Sequence, residues 1–128
     1  MTETNRFLLV EDDSISSMMT TMAIEAAVPN ADVKVINDPV EALDYVRNDD
    51  TPDVAVMLLD INMPKMSGWQ FLDEFQKLDV ATRSRYRIYM LTSSADSKDR
   101  EKAAKFPFIR GYFLKPLNAS DFQKALSN

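Results

Sequence analysis

A carboxylate, Asp60, closes an apolar run over residues 54–59, and Pro64 and Gly68 follow it closely. A buried strand would present such an acid at its carboxyl end, where open α/β sheets build their sites. One acid in that place could act as a nucleophile, a metal ligand or a loop residue. Three further strand-like runs end in polar groups. Glu11, Asp12 and Asp13 follow residues 7–10, Thr92 and Ser93 follow residues 88–91, and Lys115 follows residues 112–114. Carboxylates gathered at one edge repel: at about 4 Å and an effective dielectric of about 20, each pair costs roughly 4 kcal/mol. A cation among them, or bound protons, must offset that cost. The chain has no histidine and no cysteine, so the donors are oxygens. They favour Mg²⁺, which combines one or two carboxylates with waters and a phosphate. A divalent ion, the charge of Lys115 and the hydroxyl of Thr92 around one carboxylate make a phosphoryl-binding constellation.

The missing histidine also removes an imidazole general base and a phosphohistidine intermediate from this chain's repertoire. A net charge of −5 and a pI near 4.7 argue against non-specific binding to nucleic acid or anionic membrane. Without cysteine there is no disulfide or thiolate chemistry. The polar start lacks the apolar core of a signal peptide, and no run approaches the length of a membrane helix. These features predict a cytoplasmic protein. With 128 residues, 45% of them hydrophobic, residues 1–128 are expected to form one domain with no separate effector domain.

The elements that must position those groups alternate along the chain. Residues 7–10, 33–36, 54–59, 88–91 and 112–114 read as strands, the second with a lysine inside it that suits a sheet edge. Helices are predicted over residues 14–27, 38–47, 67–78 and 96–105, with a last helix capped by Asn118. In the first helix Ile15, Met18, Met19, Met22, Ala23 and Ala26 share a stripe expected to face the core. The arginine-bearing stretch 79–87 reads as a solvated loop. Continuous apolar strands alternating with helices mean a parallel sheet covered on both faces. Such a sheet brings all the strand-terminating polar groups to one edge. In the order 2-1-3-4-5 the acids after strands one and three would flank the crevice where such folds bind ligands.

The stretches Phe7–Asp13, Leu59–Pro64 with Gly68, Leu91–Ser93 and Gly111–Pro116 together resemble a response-regulator receiver domain over nearly the whole chain, especially the single-domain chemotaxis-regulator type. The resemblance implies the flavodoxin-like, five-stranded 2-1-3-4-5 fold. It implies that Asp60 accepts a phosphoryl group from the phosphohistidine of a sensor kinase or phosphotransfer protein. Glu11, Asp12, Asp60 and the main-chain carbonyl of Asn62 would hold Mg²⁺. Counting from Val10 favours Glu11 with Asp12 over Asp12 with Asp13, which leaves Asp13 to cap the helix. Thr92 would bond the phosphoryl oxygen, Lys115 would pair with it, and Tyr112 would turn inward when Thr92 moves. Lys115–Pro116 would be a candidate cis bond. Output would run through the helix from Asp96, strand five and the last helix to a downstream protein. The competing reading is a Mg²⁺-dependent aspartyl phosphatase of the haloacid-dehalogenase type. That class expects its nucleophile after the first strand with a second Asp two residues on, whereas here the acid follows strand three and Asn62 stands at that place. A nucleotide or flavin binder would need a glycine-rich phosphate loop after strand one, and that place is acidic.

Overall fold

Five parallel strands form the centre of the molecule in a computed structural model, which describes residues 4–93 and 97–127. In chain order the strands are β1 (Arg6–Val10), β2 (Asp32–Ile36), β3 (Ala55–Asp60), β4 (Tyr86–Thr92) and β5 (Ile109–Leu114). They lie side by side as β2-β1-β3-β4-β5, the expected order. Every residue of β3 is buried, because this strand is central and covered on both faces. β2, at one edge, has a half-exposed pattern, as the lysine within it foretells.

Among the described residues six helices cover the sheet: α1 (Ser14–Ala27), α2 (Pro39–Asn48), α3 (Gly68–Phe75), α4 (Val80–Arg83), α5 (Ser97–Ala103) and α6 (Ala119–Ser127). Their starts are written in short-range chemistry. Asp13 and Asp38 cap α1 and α2 by accepting from the amides of Ser16 and Val40. Ser67 and Gln70 close a reciprocal capping box at α3. Asn118 Oδ1 accepts from the Asp121 amide at 3.0 Å to start α6. The predicted fourth helix begins at Asp96, which lies outside the described residues, so α5 is described from Ser97.

One face of the sheet packs Leu8, Met57, Leu59 and Met90 against α2 and α3, with Phe71, Leu72 and Phe75 inward. The opposite face packs Phe7, Leu9, Leu58 and Leu91 against Ile24 and Ala27 of α1 and Phe122 of α6. Trp69 is buried and stacks on Phe106 at 6.2 Å between centroids.

Two sequence expectations change. The α1 stripe faces outward: Ile15, Met18 and Met22 are 65%, 58% and 63% exposed, Met19 and Ala26 are also exposed, and only Ala23 of that set reaches the core. The inward face is Thr20, Ile24 and Ala27, of which Ile24 and Ala27 share a core cluster with Phe122 of α6. The stretch 79–87 is not a solvated loop. It contains α4, capped by Asp79, and Arg83, Arg85 and Arg87 are each half-buried.

Candidate functional site

The carboxyl ends of β1, β3 and β4 and the residue after β5 converge as the parallel topology requires. In the sheet Val10 pairs with Leu59, Asp60 with Leu91 and Thr92 with Leu114. The chain beyond β1 therefore emerges beside Asp60, and Lys115 emerges beside Thr92. The Lys115 amide donates to the Thr92 carbonyl at 2.8 Å, and the following Lys115–Pro116 peptide is cis.

Oxygens of Glu11, Asp12 and Asp60 lie within 4.8 Å of one another. Glu11 is fully buried and Asp60 is 3% exposed, whereas Asp12 is half-buried and Asp13 is exposed on its cap. Of the acidic triplet, Glu11 and Asp12 lie beside Asp60, while Asp13 caps α1. Lys115 Nζ reaches Asp60 Oδ1 at 3.1 Å and also bonds Glu11 Oε1. The Asn62 amide donates to Asp60 Oδ1 at 3.3 Å, which ties the carboxylate to its own loop. Ser16, from the first turn of α1, donates to Glu11 Oε1 at 2.6 Å. Sequence reasoning missed Ser16; its signal is a hydroxyl placed one helical turn past the capping acid. Gly68 opens α3 directly beneath the loop that follows Asp60. A Cβ there would sit 2.7 Å from the Asp60 carbonyl oxygen and 3.0 Å from Ile61 Cα, so the loop closes on itself only with glycine.

Thr92 is buried at the end of β4. Tyr112 is 39% exposed on the outer side of the edge strand β5, where it pairs with Met90 in register. Burial and the nearby Asp99 charge raise its phenol above the usual value. The structure therefore gathers Glu11, Asp12, Asp60 and Lys115 into one cluster, sets Thr92 at its rim and leaves Tyr112 outward.

Burial, then the hydrogen bond and charge of Glu11, push the Asp60 carboxyl up to about 7 against the pull of Lys115. Burial also acts on Glu11, but its hydrogen bonds to Asp60, Lys115 and Ser16 outweigh it and leave that carboxyl below its usual value. Lys115, despite burial, is raised by Glu11 and Asp60. Two buried carboxyls and one ammonium are one positive charge short, and the shortfall falls on Asp60. The cluster can meet it with a proton or with a metal ion, and its hard oxygen donors fit Mg²⁺.

Comparison with known proteins agrees with this geometry. A family model described as the response regulator receiver domain matches residues 7–127. The chain is 25% identical over 122 residues to a probable methanogenesis regulatory protein, FilR2, of Methanothrix harundinacea, covering 93% of this chain and 77% of that one. A crystal structure of a response regulator receiver protein from Dyadobacter fermentans superposes with a TM-score of 0.85 at 28% identity, covering 95% of this chain and 94% of the other. The bacteriophytochrome response regulator AtBRR superposes at 0.80 with 30% identity, covering 98% and 92%. The phosphatase alternative finds no support, because the family that matches is a different one. The family model spans residues 7–127 and the solved receiver structures share the fold over nearly the whole chain, so the chain is a response regulator receiver domain of two-component signalling.

Proposed function

We propose that Asp60 is the phosphoacceptor of this receiver. An Asp60 carboxylate oxygen bonds to phosphorus as the N–P bond of a donor phosphohistidine breaks, and the released imidazole takes up a proton. The donor is a sensor kinase or a phosphotransfer protein, and the exchange takes place in the cytoplasm. The chain catalyses its own phosphotransfer and dephosphorylation and turns over no other substrate. Lys115 holds negative charge at the attacked group, and Thr92, one residue past the strand neighbour of Asp60, donates its hydroxyl to a phosphoryl oxygen. Glu11, Asp12, Asp60 and the carbonyl of Asn62 would hold Mg²⁺, which supplies the positive charge that a phosphoryl group among carboxylates needs. The carrying observation is the cluster of Glu11, Asp12 and Asp60 oxygens within 4.8 Å, with Lys115 3.1 Å from Asp60.

The donor approaches over α1. Its exposed Ile15, Met18 and Met22 adjoin a cleft of about 290 Å³ lined by Asp13, Ile15, Ser16, Met19, Thr20, Lys115 and Pro116. That apolar surface is continuous with the acceptor site, so a helical donor seated there brings its imidazole to Asp60. Output runs through the other side. Tyr112 and Leu114 are exposed on β5 between α5 and α6, and inward rotation of Tyr112 as Thr92 engages the phosphoryl group changes the α5-β5-α6 face that a downstream protein reads.

Incubation with acetyl phosphate and Mg²⁺ tests this reading by intact mass. Wild type gains one Mg²⁺-dependent phosphoryl group and Asp60→Asn gains none; an adduct that survives the substitution sinks the assignment. For the output face, a phosphoryl mimic with Mg²⁺ should shift amide signals across residues 97–126. Unmoved signals there would refute that part alone.

A further inference from the structure

At the opposite edge of the sheet, beneath the amino ends of β4 and β5, lies a groove of about 570 Å³. Its apolar wall is Val54, Phe75, Val80 and Phe108, and its cationic side chains are Arg83, Arg87 and Arg110. Phe75 and Phe108 meet at 5.7 Å between ring centroids, so the wall is aromatic and fixed. Three guanidinium groups on one groove stand out in a chain of net charge −5. Arg83 Nε donates to the Leu78 carbonyl at 2.9 Å, which anchors that side chain. Among the described residues the guanidinium groups of Arg87 and Arg110 make no hydrogen bond or ion pair, although Arg87 is half-buried. Asp79, which caps α4, accepts from the Thr82 amide, and its carboxyl is lowered chiefly by Thr82 with smaller help from Arg85 and Arg83.

We propose that this groove binds a small organic phosphate, an anion carried on a flat apolar body. The volume falls within the roughly 300–1,000 Å³ of small-molecule sites, whose walls are apolar with a few polar groups that orient the ligand. Guanidinium forks match phosphate oxygens two at a time, and Arg87 and Arg110 hold donors that no residue uses. The site is separate from Asp60: β4 carries Arg87 at the groove and Thr92 at the other end, roughly 17 Å away at strand rise. The proposal therefore stands or falls without the phosphoacceptor assignment.

The probe is 1-naphthyl phosphate, titrated in EDTA while amide signals are followed. Signals of Arg87, Phe108 and Arg110 should shift saturably, with affinity at least about tenfold above those of inorganic phosphate and of 1-naphthol, as charge-assisted contacts added to apolar burial predict. Arg87→Gln with Arg110→Gln should weaken binding by at least about tenfold. Val80→Glu, a change at a 69% exposed rim residue, should do the same without touching an arginine. The amide spectrum of each variant away from the groove and its thermal midpoint should match wild type, which shows that each is folded. Equal affinity for the three probes, shifts confined to Glu11, Asp12 and Lys115, or wild-type affinity in the variants would overturn the proposal.

Discussion

Replacing Asp60 by Asn should make the metal-free protein more stable, by an amount that depends on pH. The Asp60 carboxyl is held up to about 7 in the folded state, first by burial and then by Glu11, and returns to about 3.9 on unfolding. A raised carboxyl pKa means the folded state binds more protons, so stability is present at low pH and is lost as pH rises between those two values. Linkage makes the loss grow from about 1–2 kcal/mol at pH 5 to roughly 4 kcal/mol above pH 7, where it levels off. Asparagine keeps the shape and cannot ionise, so it escapes that loss while leaving Lys115 its bond to Glu11. In EDTA at pH 8 the midpoint of thermal unfolding should rise by several degrees, on the order of 3 °C per kcal/mol for a chain of this size. Urea unfolding of both proteins at a series of pH values measures the gap directly. Saturating Mg²⁺ should narrow the gap by stabilising wild type alone. A gap that stays flat with pH, or a wild type more stable than Asp60→Asn at pH 8 in EDTA, would refute the reasoning.

Gly68→Ala should cost about 1–3 kcal/mol in urea unfolding, because the new Cβ meets backbone at 2.7 and 3.0 Å and backbone cannot step aside. The same variant should also slow acetyl phosphate labelling, since the displaced atoms belong to Asp60 and Ile61. At the far edge of the sheet, Asp49 is held down to about 2: burial opposes this, but bonds from Tyr86, Thr51 and Arg6 prevail. A depressed carboxyl contributes stability above its unfolded value that is lost as pH falls through about 4 towards about 2, and Asp49→Asn should flatten that limb of an acid titration followed by circular dichroism. Ile15→Glu with Met22→Glu should leave the unfolding midpoint and acetyl phosphate labelling unchanged. Transfer from a phosphorylated kinase that labels wild type should fall at least about tenfold, given the anchoring role of buried apolar contacts; an unchanged rate would move the donor off α1.

How far the sequence carries depends on which force sets each feature. Strands β1, β3 and β4 were legible because unbroken apolar runs can only be buried on both faces, and strand direction then puts Glu11, Asp60 and Thr92 at one edge. Caps at Asp13, Asp38, Ser67 and Asn118 were legible because they are local hydrogen bonds. The inward face of α1 was not. Methionines and Ile15 outrank Thr20 and Ala27 in hydropathy, yet Thr20, Ile24 and Ala27 are the residues the tertiary packing buries. The arginines of residues 83–87 were misjudged for a related reason, since charge says nothing of the aliphatic stem that packs. Ser16 needed tertiary geometry: only the curl of the chain after β1 aims Glu11 back at it.

The outward methionines of α1 have a further consequence. An unbranched thioether bends around whatever shape meets it, so a surface of Met18, Met19 and Met22 grips by compliance rather than by fit. Compliance tolerates several donors of similar outline, and fidelity to one donor must then come from charges set around the patch, where a mismatch repels. On the proposed docking over α1, Glu25, exposed on its last turn, is where a change of sign would redirect the regulator to a new input while its chemistry stayed as it is.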